Sequence, residues 1–153
     1  MTDILSQKFH RVLDKVGIGI VTCNRQSFFE QLIASLPVIG SHHYTCAVND
    51  GLEYFKQPDA QLNYSNVLNK YHQNHTNLGV GKSKNILFKT LLDAGCDHIF
   101  IIEDDMIIKD MSVFERYIEA SKVTGLKHMM FGYHGPANKL NNKPFSRFVV
   151  PYS

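Results

Sequence analysis

Residues His98–Lys109 read H-I-F-I-I-E-D-D-M-I-I-K, and no other stretch restricts the fold as much. The first five residues are almost continuously apolar, which suits a strand buried on both faces of a parallel sheet. Three carboxylates follow at once, Glu103, Asp104 and Asp105. Open α/β sheets bind ligands at the C-terminal ends of their strands, where these acids sit. On extended backbone, residues i and i+2 point the same way. Glu103 and Asp105 therefore share a face suited to one hard cation, and Asp104 faces elsewhere. Adjacent carboxylates flanked by isoleucines repel one another unless a cation or donors compensate. The plainer alternative is that they cap the strand and open a solvated turn.

The rest of the chain alternates strand-like and helix-like segments. An amphipathic helix or ordered leader is expected over Ile4–Lys15. Val16–Thr22 (V-G-I-G-I-V-T) is a first strand, closed by the polar turn Cys23-Asn24-Arg25. A helix follows, with Ser27 and Glu30 as its capping box and Pro37 beyond its end. Tyr44–Asn49 is a second strand, broken by Asp50-Gly51. Residues 51–66 read as loop with a short helix, and Val67–Gln73 as a third strand. Asn77–Gly81 is a turn leading into a helix over Lys82–Asp93, stopped by Gly95. After the acidic strand, Ser112 and Glu115 open a helix to Val123, and His128–Tyr133 is a fifth strand. This order predicts a three-layer α/β/α sandwich with a mainly parallel sheet. It forms a single domain over residues 1–153, without repeats or low-complexity tracts. Phe148-Val149-Val150 reads as a strand with nothing after it, so the fold is expected to continue beyond Ser153 or to be completed by a partner.

Composition excludes several classes. The 153 residues are 44% hydrophobic and 20% charged, an ordinary globular balance that buries roughly 70% of the unfolded surface. A net charge of +2 argues against a nucleic-acid binder. The 8 histidines are scattered, and no zinc-ligand spacing joins them to cysteines. Cys23, Cys46 and Cys96 are expected to be reduced thiols in a cytoplasmic protein. No signal peptide or membrane-spanning run is expected.

Polar clusters end three strands, at 22–25, 49–50 and 103–105, and a fourth cluster at 77–85 opens a helix. In a parallel sheet these strand ends share one edge. Gly79-Val80-Gly81-Lys82-Ser83 is not a P-loop, because that motif requires glycine where this chain has Thr76. Glycines ahead of a helix N-terminus bearing Lys82 and Lys84 are nonetheless expected to approach a phosphate.

The ordered set V-G-I-G-I-V-T-C-N-R, A-V-N-D-G, N-L-G-V-G-K-S-K-N and F-I-I-E-D-D-M-I-I resembles the N-terminal half of a family-2-type glycosyltransferase of GT-A, Rossmann-like fold. The resemblance covers about Val16 to Tyr133. It implies that Thr22, Asn24 and Arg25 lie near a nucleotide and that Asp50 contacts its base or ribose. Asn77, Gly79, Lys84, Asn85 and Asp104 join the donor-binding set. Glu103 and Asp105 become the first and last acids of a D-x-D motif holding Mn²⁺ or Mg²⁺. The implied donor is a nucleotide sugar, with a UDP-sugar first, and the implied acceptor is a hydroxyl of a glycan or other molecule. Peripheral membrane association at the inner face and homo-oligomer formation stay open.

The departures are specific. Glu103 replaces the first Asp, which a hard cation accepts. Lys84 replaces an Arg, keeping charge but losing bidentate geometry. A general base is expected after the acidic strand, yet Glu119 is the last acid of the chain; His134 is the remaining candidate. The acceptor-binding portion is expected to be incomplete. Two alternatives follow: a truncated or degenerate domain that binds donor or metal without turnover, and a sugar nucleotidyltransferase. The latter is disfavoured because the turn after the first strand lacks glycine.

Overall fold

The computed structural model describes residues 14–37, 42–54 and 64–130. They belong to two compact units, one up to Met111 and one from Ser112. The first holds β1 (Val16–Thr22), α1 (Gln26–Ser35), β2 (His43–Asn49), β3 (Lys70–Gln73), α2 (Val80–Asp93) and β4 (His98–Glu103). The second holds α3 (Ser112–Thr124).

The strands form one parallel sheet in the order β3-β2-β1-β4. β1 is central because its side chains are apolar and β-branched or absent, so both faces can be covered; all seven residues are buried. Successive side chains alternate between faces. A Cβ placed on Gly19 would lie 3.2 Å from both Leu87 and Leu91, which puts α2 on the face of Gly17, Gly19 and Val21. There Val21, Cys46, Val48, Leu87, Leu91 and Cys96 form one core cluster, with Ile99 and Ile101 of β4 against it. Burying Leu87 and Leu91 contributes about 1.5–3 kcal/mol each.

The opposite face carries Ile18, Ile20 and Ala47, all buried. Tyr71 of β3 is in register with Ala47 and stands edge-on to Phe29 of α1, 6.4 Å between ring centroids. Helix α1 thus covers the second face with Phe29, Leu32 and Ile33, which completes three layers. Four C-terminal strand ends consequently lie along one edge.

Several local expectations are corrected. The third strand is shorter than Val67–Gln73: residues 64–67 form a turn and only Lys70–Gln73 pair. The N–H groups of Val67 and Leu68 are spent within that turn, on Tyr64 O at 2.9 and 2.7 Å, and so are not available to a strand partner. Ser27 does not cap α1: the cap and the helix start lie two residues earlier, with Arg25 in the N-cap position without a side-chain hydrogen bond, and Glu30 accepts from Gln26 at 2.9 Å. Helix α2 begins at Val80 rather than Lys82, with Gly79 (φ 83°) before it. Residues 128–130 are not strand, and the remainder of the expected fifth strand lies outside the described residues, as do residues 4–13 of the expected first helix. Helix α3 spans the expected residues, with Ser112 inside it as its first residue, Glu115 in its first turn and Lys122 in its last, the charge order that complements the helix dipole. No helix among the described residues is long and apolar enough to cross a membrane.

Candidate functional site

The turn after β1 is fixed to the turn after β2 by side chain and by close approach. Asn24 has φ 56°, a left-handed conformation that asparagine tolerates, and its Oδ1 accepts the Leu52 N–H at 2.7 Å. A Cβ on Gly51 would lie 2.3 Å from that oxygen and 2.7 Å from the Asn24 backbone nitrogen, so the two turns meet only because position 51 has no side chain. Asn49, fully buried, shapes the second turn from within. Its Oδ1 accepts from Gly51 N at 3.0 Å, and its Nδ2 donates to Leu52 O at 2.6 Å.

Asp50 closes the start of α2. Its carboxylate accepts the N–H groups of Leu78 and Gly79, each at 2.8 Å, and the Asn74 amide at 2.6 Å. Burial pushes the Asp50 carboxyl up, but the Leu78, Asn74, Gly79 and Ser83 donors outweigh it and hold the group below the ordinary carboxylate range. The expected phosphate slot ahead of α2 is therefore filled by the protein's own carboxylate. An N-terminal helix end attracts any anion, and here β2 supplies it.

The acidic triplet is divided between the two faces of the sheet. Asp104 is fully buried. Its Oδ2 accepts the Thr22 hydroxyl at 2.6 Å, while Oδ1 is ion-paired with an Arg25 Nη without hydrogen-bond geometry. Thr22 in turn lies 2.8 Å from the Tyr54 hydroxyl, which accepts the Arg25 backbone N–H at 2.7 Å. Because Thr22 donates to Asp104 and Tyr54 accepts from Arg25, the Tyr54 hydroxyl must donate to Thr22. Three hydrogen bonds thus run one way, from the Arg25 amide to the Asp104 carboxylate, and reinforce one another. The other Arg25 Nη reaches Asp105 at 3.3 Å. Glu103, on the α2 face, pairs with Lys84 at 3.1 Å. β4 ends at Glu103 and a turn follows, so the extended-chain rule that would aim Glu103 and Asp105 together stops one residue too soon.

The structure brings Thr22, Arg25, Asp104 and Asp105 into one network and joins Lys84 to Glu103. It joins Asn77 to the same edge through Cys23, 3.7 Å from the Asn77 amide. Asn85 is exposed on α2, and His134 lies outside the described residues. The reading of the sequence missed Tyr54, Asn74 and Ser83. Tyr54 sat in an illegible polar segment, and Ser83 is a buried polar residue on an otherwise apolar helix face. A cleft of about 210 Å³ opens between the turns, lined by Asn24, Asp50, Leu52, Asn74, His75 and Asn77 among others. Ligand pockets usually measure ~300–1,000 Å³, so this one suits a base-sized group rather than a whole nucleotide sugar.

Among the described residues no group of three or more His, Cys, Asp or Glu is arranged to hold a metal ion. A cage is not required for a cation carried by a diphosphate, which needs one or two protein carboxylates. Half-exposed Asp105 fits that lesser demand, whereas Glu103, expected to share the cation, is turned to Lys84 on the α2 face.

No family model matches the chain, and no curated protein matches it. Solved structures do. Residues 1–349 of S. aureus TarS superpose with a TM-score of 0.53 at 18% identity over 71% of this chain. The same portion in complex with UDP gives 0.57 at 17% identity over 87%, and in complex with UDP-GlcNAc 0.55 at 18% over 87%. The chain spans 32–38% of those chains. At this level of identity the likeness is one of architecture: a three-layer α/β fold with a four-stranded parallel sheet, similar to the part of TarS it covers.

Proposed function

We propose that this chain is the nucleotide-sugar-binding part of a glycosyltransferase, taking a UDP-sugar with Mn²⁺ or Mg²⁺ and passing the sugar to a hydroxyl acceptor. The observation that supports it most is the meeting of Thr22, Arg25, Asp104 and Asp105 at the C-terminal edge of a parallel sheet. Ligands of such sheets bind there. The fold likeness adds support, because the TarS portion it resembles is known in complex with UDP and with UDP-GlcNAc.

In this reading the cleft by Asn24 and Asn77 takes the base, and Arg25 and Lys84 face the diphosphate. Asp105 holds the cation, which supplies positive charge to the departing nucleoside diphosphate. Asp50 acts one step removed: it fixes the 77–79 turn that borders the cleft. Asp104 holds Arg25 in place.

A second reading, donor binding without turnover, is favoured by one observation. No Asp or Glu follows Glu119, so a carboxylate base for the acceptor hydroxyl is missing from residues 120–153. Thermal stability with Mn²⁺, with UDP and with both tests the proposal. Ligand at one hundred times its Kd stabilises the folded state by about 2.7 kcal/mol. A shift that needs both ligands and is lost in Asp105→Ala is the expected result; no shift with either would defeat it. Hydrolysis of UDP-GlcNAc over hours then separates the two readings.

A further inference from the structure

Arg25 is bound asymmetrically. One Nη meets a carboxylate that is wholly buried, Asp104, which is in turn fixed by Thr22 and, through it, by Tyr54. The other reaches Asp105 at 3.3 Å, with the side chains 43% and 49% exposed. Leaving the wholly buried Asp104 carboxylate without its counter-charge is costly, whereas an exposed pair contributes almost nothing. The two contacts of one guanidinium therefore differ greatly in how easily they are given up. Lys84 stands in the same loose way on Glu103, at 3.1 Å and about half exposed.

We propose that Arg25 is a split counter-ion: its inner contact with Asp104 is permanent, and its outer contact covers Asp105 until a divalent cation displaces it. The freed N–H of Arg25 then donates to the diphosphate that arrives with the cation. This rests on the reading of Asp105 as a cation ligand given above. It assigns Arg25 two opposed effects. It weakens the binding of a bare divalent cation by competing for Asp105, and it strengthens the binding of cation and nucleoside diphosphate together. Cation and nucleotide thereby favour one another: the cation frees the Arg25 N–H that the diphosphate accepts, and the diphosphate holds Arg25 away from Asp105.

The test is Mn²⁺ binding to the intact chain, read from the paramagnetic resonance signal of free Mn²⁺, with MnCl₂ alone and with UDP present. Arg25→Lys keeps one positive charge for Asp104 but has no second arm, so it preserves the buried pair. Arg25→Gln removes both contacts. Both variants should bind Mn²⁺ alone more tightly than the parent, by on the order of tenfold for Arg25→Gln. Both should bind UDP in the presence of Mn²⁺ more weakly. A general loss of structure would weaken both bindings together, so opposite signs mark the exchange; should Arg25→Gln not fold, Arg25→Lys decides. If folded Arg25→Lys matches the parent for Mn²⁺ alone, the split role is overturned even where UDP and Mn²⁺ bind. If the parent takes up no Mn²⁺ in the presence of UDP, the functional reading falls first and this inference with it.

Discussion

The carboxylate of Asp50, at the end of β2, seals the N-terminus of α2 by accepting the Gly79 N–H at 2.8 Å. The contact ties two separate crossovers of the sheet into one rim around the cleft. A helix end that would otherwise attract a ligand's phosphate is occupied from within.

Asp50→Asn should therefore cost about 2–3 kcal/mol, because an amide cannot accept from all of the donors now converging on it. The effect depends on pH. Asp50 has a lowered pKa in the folded chain, so its stabilising contribution is complete above the ordinary carboxylate range. It is lost as pH falls through the lowered value. Melting temperatures from about pH 7 down to pH 3 should show the parent losing stability on the acid side more steeply than Asp50→Asn, with the two curves converging there.

Gly51→Ala should destabilise by about 1–3 kcal/mol, the usual cost of forcing an extra methyl group into a filled space. The obstructing atoms include the Asn24 backbone nitrogen, which cannot rotate aside. Binding of UDP with Mn²⁺ should fall with it, because the Asn24 turn borders the cleft. Chemical denaturation gives the first quantity and calorimetry the second. A variant as stable as the parent would show that the two turns do not meet as described.

Tyr54→Phe deletes one hydroxyl and leaves the ring that packs 5.8 Å from Phe29. The Arg25 N–H then loses its acceptor and Thr22 a donor, at a cost of about 1–2 kcal/mol. A larger proportional loss of affinity for UDP with Mn²⁺ is expected, since the hydroxyl sets the position of Arg25. Thr22→Val should act in the same direction, and the double variant should cost less than the sum of the two, the mark of one shared network.

The three thiols should differ sharply in reactivity. Cys46 is buried, and burial pushes its thiol up to about 12; burial raises Cys96 as well. Cys23 is half-buried, 3.7 Å from the amide of Asn77, which lines the cleft. A thiol reagent at pH 8 should modify one cysteine quickly and the other two only on unfolding. UDP with Mn²⁺ should slow the fast reaction, as mass spectrometry of the labelled peptide would show.

Strands β1 and β4 were legible because their apolar runs end abruptly in polar residues. Helix α3 was legible because its first-turn acid and its terminal Gly125 bracket it. Residues such as Thr22, Arg25 and Asp105 could be placed at one edge as soon as the sheet was known to be parallel. What could not be read was where their side chains would go. Asp104, expected to face elsewhere, is the buried centre of the network, and Glu103 turns to Lys84. That outcome depends on the strand ending at Glu103, a matter of one residue that apolar patterning does not resolve. Tyr54 was hidden for another reason: its partners Thr22 and Arg25 lie some thirty positions earlier, |i−j| = 32 and 29, and no local periodicity reports such a contact.

The placement of β1 between β2 and β4 also governs how the chain is made. Val16 is in register with His43 on one side and with His98 on the other. At roughly 5–20 residues per second, the ribosome delivers the middle of the sheet several seconds before its second neighbour. During that interval V-G-I-G-I-V-T has one open flank, and the helix that covers it, α2, is only then being completed. Such long-range parallel pairing is intrinsically slow and exposed to self-association. The nascent protein is thus most vulnerable at the strand that, once folded, is the most deeply enclosed.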